Sequence, residues 1–136
     1  MSRYVALIDG ERGAYGVAFP DCPGCTAMGE TIDEALHNAA EALSEWVADE
    51  SAAGRGAPAP RSADELRADP EVVEAIREGA AMAVVPLVLE TGRATRANVS
   101  IDAGLLAAID EAAARAGITR SAYLASAARE RLVAGE

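Results

Sequence analysis

Cys25-Thr26-Ala27-Met28-Gly29-Glu30-Thr31-Ile32-Asp33-Glu34-Ala35-Leu36 is where the first part of the chain changes its period. Up to Met28 the residues read as strand. From Thr31 the apolar positions Ile32, Leu36, Ala39, Leu43, Trp46 and Val47 fall at helical spacing. Thr31 and Glu34 form a capping-box pair that starts the helix, which is expected to run to about Asp49. Its apolar stripe covers one face of the preceding strands, and Glu34, Glu41, Glu45 and Asp49 line its wet side.

Working back from that switch, Tyr4–Ile8 is rich in β-formers and Ala14–Phe19 alternates apolar with small residues. The polar, glycine-containing Asp9–Gly13 between them signals a hairpin loop. Pro20–Gly24 is a second turn, with Pro23-Gly24 suited to the central positions of type II. A short third strand covers Cys25–Met28. Working forward, Ser51–Pro60 is Ala, Gly and Pro with one Arg, a loop by composition. Asp69-Pro70 starts a second helix that ends at Gly79. Ala81–Leu89 is apolar and β-branched, and Pro86 places it at a sheet edge or bulge. The order is β-β-β-α-α-β, an α+β layer with helices packed on a sheet.

Beyond Glu90-Thr91-Gly92-Arg93 the sequence changes character. Within Arg93–Ile101, Ala97, Val99 and Ile101 point one way and Arg96, Asn98 and Ser100 the other. Asp102 caps a helix with Leu105, Leu106, Ile109, Ala112, Ala113 and Ala116 on its apolar face. Gly117 ends it, and Thr119 caps another with Tyr123, Leu124, Ala127, Ala128 and Leu132 inward. One strand and two helices cannot bury enough core alone, so this module is expected to dimerise by pairing its strands as an antiparallel ribbon. Two domains follow, residues 1–90 and 91–136.

The 136 residues are 51% apolar and 25% charged, which excludes disorder throughout. No run of about 18 uncharged apolar residues occurs, which leaves no membrane-spanning helix. The N-terminal stretch lacks a signal-peptide pattern, so the expected compartment is the cytoplasm. The net charge is −10, carried unevenly. Residues 1–90 hold 6 Arg against 17 acids, a balance of −11, and the rest hold 6 Arg against 5, a balance of +1. An acidic chain ordinarily avoids nucleic acid. The second module escapes that argument. Its outward Arg96, Asn98 and Ser100, doubled by a two-fold axis, make a ribbon suited to the DNA major groove. Thr119, Arg120 and Ser121 offer hydroxyls, backbone N–H groups and a cation to a phosphate.

These residues carry two resemblances. Arg93–Val133, with its Gly117-Ile118-Thr119-Arg120-Ser121 link, resembles a ribbon-helix-helix DNA-binding domain. Tyr15-Gly16-Val17-Ala18-Phe19-Pro20-Asp21-Cys22-Pro23-Gly24-Cys25-Thr26-Ala27-Met28-Gly29-Glu30-Thr31, continued by Glu34–Leu43, resembles HicB-type antitoxins. The resemblance implies a partial ribonuclease-H-like domain without nuclease activity. It also implies a partner, a HicA-like RNA-cleaving toxin masked by that domain, and a C-terminal ribbon-helix-helix that represses the operon. Two positions depart from the pattern: Cys22 stands where an aliphatic residue is usual, and Ser100 where a longer basic or amide side chain is frequent.

Several residues admit other readings. Cys22-Pro23-Gly24-Cys25 reads as a turn, a redox pair or part of a metal site; two Cys and one His fall short of four zinc ligands. Asp9, Asp21, Glu30, Asp33 and Glu34 could be a two-metal nuclease cluster, or simply caps, turns and a solvated helix face. His37 reads as a surface residue. The acidic excess serves solubility, or it attracts a basic toxin and excludes its RNA. Three functions stay open: a non-enzymatic antitoxin and autorepressor needing no cofactor, a stand-alone ribbon-helix-helix repressor, and an enzyme using the nuclease-like fold or the two Cys.

Overall fold

The computed structural model describes residues Met1–Ala134, so Gly135 and Glu136, the end of the expected second module, lie outside the described residues. Two units emerge, Met1–Leu89 and Glu90–Ala134.

The first unit is built on strands β1 (Arg3–Glu11), β2 (Ala14–Ala18), β3 (Thr26–Gly29) and β4 (Ala81–Pro86). They form one sheet in the order β3-β2-β1-β4, with every neighbouring pair antiparallel. Helix α1 (Ile32–Ala52) follows β3, and Thr31 Oγ1 accepts its cap bond from the Glu34 N–H at 3.1 Å. The helix runs one turn further than Asp49. Its buried face is also rotated from the expected stripe. Ala35, Ala39, Ala40, Leu43 and Val47 are buried, whereas Ile32 is exposed. Small residues on the inner face let the helix lie close to the sheet: a Cβ at Gly29 would stand 2.4 Å from the Ala35 backbone nitrogen.

Successive strand residues face opposite sides. Tyr4, Ala6 and Ile8 are buried on one side of β1, and Val5 on the other, where it packs with Leu66 and Val72. Leu66 belongs to a helix the sequence reading did not anticipate, α2 (Ala63–Leu66), and Val72 to α3 (Pro70–Arg77). The signal for α2 was present, since Ser62 and Glu65 make a complete reciprocal capping box. Asp69 caps α3 with Pro70 in its first turn, as expected. The sheet is thus sandwiched, α1 against one face and α2–α3 against the other. By returning the chain along the sheet, α3 makes β4 enter beside Ile8 and run antiparallel to β1. Pro86 ends this edge strand opposite Arg3.

The second unit holds α4 (Ala103–Ala116) and α5 (Arg120–Val133). Asp102 Oδ1 accepts from the Gly104 and Leu105 N–H groups at 2.9 and 3.1 Å. Gly117 adopts φ +69°, the left-handed C′ conformation that releases the chain into α5. The strand expected over Arg93–Ile101 is not formed: this stretch belongs to no ladder. The reason is physical, because a strand needs a neighbour and one chain supplies none here. The inward faces expected of both helices are correspondingly thin. Ile109 and Ala113 are the buried residues of α4, and none of α5 is buried.

Candidate functional site

In the second unit, the outward set Arg96, Asn98 and Ser100 lies on the exposed stretch before α4. Val99, between them, is 69% exposed, an apolar side chain with nothing to cover it. Thr119, Arg120 and Ser121 come together at the start of α5. Thr119 Oγ1 is the N-cap, accepting from the Ala122 N–H at 3.1 Å. Arg120 donates from Nε and Nη2 to the two carboxylate oxygens of Asp110 on α4, both at 2.7 Å. These bonds hold the Asp110 carboxyl below its ordinary pKa and raise Arg120 further. Two of the three residues expected to meet a phosphate therefore also have internal partners. Asp110 was missed by sequence reasoning: it lies ten residues from Arg120, across a helix turn that no local spacing reveals.

In the first unit, α1 carries six acids and no Lys or Arg. Glu34, Glu41, Glu45 and Asp49 are all exposed along its outer side. Like charges at i,i+4, as in Glu41, Glu45 and Asp49, work slightly against the helix. His37 lies on α1 3.6 Å from Glu41, with 42% of its side chain exposed. At the far end of the sheet, β1 overhangs β4, and Asp9, Gly10, Glu11, Ala14, Glu78 and Gly79 line an open cleft of about 480 Å³.

The acids considered as a nuclease cluster do not converge. Asp9 lies near the end of β1, while Asp21 follows β2 at the opposite end of the sheet. Asp21 is occupied by Arg61, whose backbone N–H and Nε donate to it at 2.8 and 2.6 Å. Among the described residues, no group of three or more His, Cys, Asp or Glu is placed to hold a metal. Cys22 and Cys25 are buried free thiols in a tight turn, with the Cys25 N–H donating to the Cys22 carbonyl at 3.0 Å and Gly24 at φ +87°. Burial, with smaller contributions from Cys25, Asp21 and Glu50, pushes Cys22 up to about 12; burial pushes Cys25 to about 11. Such thiols stay protonated near neutrality and lack the thiolate that redox chemistry requires. They pack the turn.

The chain is thus a small α+β unit with an acidic helix face, followed by a pair of capped helices with little core. Residues 4–128 match the family described as HicB_like antitoxin of bacterial toxin-antitoxin system. The chain belongs to that family. It is therefore an antitoxin rather than an enzyme, with a ribonuclease-H-like first unit. The crystal structure of the Burkholderia pseudomallei antitoxin HicB is 35% identical, with a TM-score of 0.56, covering 97% of this chain and 99% of that one. The complex of toxin HicA3 with antitoxin HicB3 contains a chain 25% identical, with a TM-score of 0.53, covering 64% and 99%. An uncharacterized 14.9 kDa protein from the rep-hol intergenic region of Haemophilus phage HP1 is 30% identical over 108 residues, 79% of each chain. Among the described residues, no helix is long and apolar enough to cross a membrane.

Proposed function

We propose that this antitoxin neutralises a HicA-like, RNA-cleaving toxin by direct binding through residues 1–90, and represses its own operon through a ribbon-helix-helix dimer formed by residues 91–136. The observation that carries the second half is the exposed alternation of Arg93–Ile101 ahead of two well-capped helices with almost no core. Pairing with a second copy would complete the strand and cover Val99, Leu105, Ile118 and Leu132, all exposed in one chain. It would also bring two sets of Arg96, Asn98 and Ser100 onto one ribbon of a width that enters a major groove. Thr119, Arg120 and Ser121 would then meet the flanking phosphates.

For the first half, support comes from the exposed acids Glu34, Glu41, Glu45 and Asp49 along the outer side of α1. A protein that grips RNA presents cations, and a row of carboxylates attracts it and competes with phosphate. Both activities belong in the cytoplasm, where operator and transcripts are found. The test is co-purification of the full chain with the product of the adjacent reading frame, together with sedimentation and gel-shift on the DNA upstream of its own coding sequence. A dimer that captures both supports the proposal. A monomer, or a dimer that leaves the neighbouring protein free and toxic, overturns it.

A further inference from the structure

Arg120 has five N–H donors, and Asp110 engages one edge of its guanidinium, Nε and one N–H of Nη2. Three donors remain, on Nη1 and the other side of Nη2. They are not shut in, since 53% of the Arg120 side chain and 44% of that of Asp110 are exposed. Arg120 is also the first residue of α5, beside the first-turn N–H groups that the Thr119 cap leaves unsatisfied. The second unit holds other arginines, and Arg115 shows the contrast: a single 3.0 Å bond to Glu111 on its own helix leaves it free to swing. The Arg120–Asp110 bond ties two helices together and fixes the guanidinium plane.

We propose that Arg120 works through both edges of its guanidinium, one locked to Asp110 and the other presented to a DNA phosphate, with Asp110 as the positioning residue. This rests on the DNA-binding reading above and goes beyond it by assigning a role to Asp110. A guanidinium is a planar fork that can grip two anions at once, which an ammonium cannot do with the same geometry. Orienting it beforehand removes the rotamer entropy that a free arginine would lose on meeting the phosphate. Asp110 thus aids binding despite carrying the wrong charge for DNA.

The experiment measures the affinity of the full chain for a duplex from upstream of its own coding sequence, across a salt series, with thermal unfolding of each variant as a fold control. Arg120→Ala is expected to weaken binding about tenfold and flatten the log–log salt slope by about one per protomer, as for a lost phosphate contact. Asp110→Asn is expected to weaken binding about threefold to tenfold with the slope unchanged, because the phosphate contact persists but is no longer pre-oriented. Arg120→Lys keeps the slope and loses affinity, and serves if the alanine variant fails to fold. An unchanged slope in folded Arg120→Ala makes Arg120 a brace only and overturns the inference. Tighter binding by Asp110→Asn overturns it as well, making Asp110 a competitor of phosphate. Wild-type protein that binds no duplex at any salt overturns the DNA reading and this inference together.

Discussion

Arg61 reaches back forty residues to Asp21, placing its backbone N–H and Nε on the two carboxylate oxygens at 2.8 and 2.6 Å, while its Nη1 holds Asp69 at 3.1 Å. One side chain thereby joins the turn after β2, the loop leaving α1 and the cap of α3. The Tyr4 hydroxyl donates to the Pro58 carbonyl at 2.6 Å in the same loop. A segment that reads as loose by composition is pinned at two points, and that sends the chain into α2 and α3 in the right direction.

Replacing Arg61 with Ala should therefore lower the unfolding midpoint of the first unit, because Asp21 and Asp69 both lose their cation. The Asp21 side chain is only 7% exposed and would lose its cation along with a charge-assisted bond. Urea unfolding followed by the fluorescence of Trp46 would measure it, and a midpoint equal to wild type would remove the pinning role.

Gly29→Ala should cost about 1–3 kcal/mol through overpacking. The new methyl would lie 2.4 Å from the Ala35 nitrogen and 2.7 Å from its Cα, both backbone atoms that cannot rotate away. The same substitution at Gly54, with nothing within 4 Å, is a control for crowding, its left-handed φ of +80° adding only conformational strain. A Gly29→Ala midpoint equal to that of wild type would contradict the close strand–helix contact.

Stability should fall at both ends of the pH scale. Asp69 is held below the ordinary carboxylate range by the Glu71 N–H and by Arg61, and Glu90 by Arg129. Their folded pKa values lie below the unfolded ones, so their contribution is present above about pH 4 and lost as pH falls through the folded values. The cysteines carry the opposite sign. With folded values of about 12 and 11 against an ordinary 9, the unfolded chain loses those protons first, and stability drops as pH rises from 9 towards 12. Thermal midpoints from pH 2 to 11 test this, and a Cys22→Ala, Cys25→Ala variant should show a shallower alkaline fall.

For the DNA ribbon, Arg96→Ala and Asn98→Ala should each abolish specific operator binding while leaving the dimer and the toxin complex intact. Gel-shift and sedimentation on the same samples separate these readouts. Loss of the dimer along with DNA binding would mean that the side chains serve the ribbon rather than read bases.

Charge reversal on α1, Glu41→Lys with Glu45→Lys, should weaken toxin capture at least tenfold and lower its association rate, with DNA binding unaffected. Calorimetry and stopped-flow mixing at two salt concentrations would show it. An unaltered complex would return the acidic face to solubility alone.

Local chemistry was legible because its causes sit within four residues of one another. The caps at Thr31, Asp69, Asp102 and Thr119, the left-handed Gly117 and the Pro23-Gly24 turn all follow from neighbouring side chains and backbone angles, and all are found. The edge position of β4 followed from Pro86. Tertiary structure decided the rest. The rotation of the inward side of α1 from the expected stripe goes with the close approach at Gly29, which leaves room for Ala35 while Ile32 stays exposed. The four-residue α2 holds because Leu66 finds Val5, distant in sequence, together with Val72. Asp110 gains its meaning only when α4 and α5 fold back on each other. Arg93–Ile101 has the alternation of a strand without being one in this single chain, since a ladder's hydrogen bonds need a neighbouring strand and none pairs with this stretch.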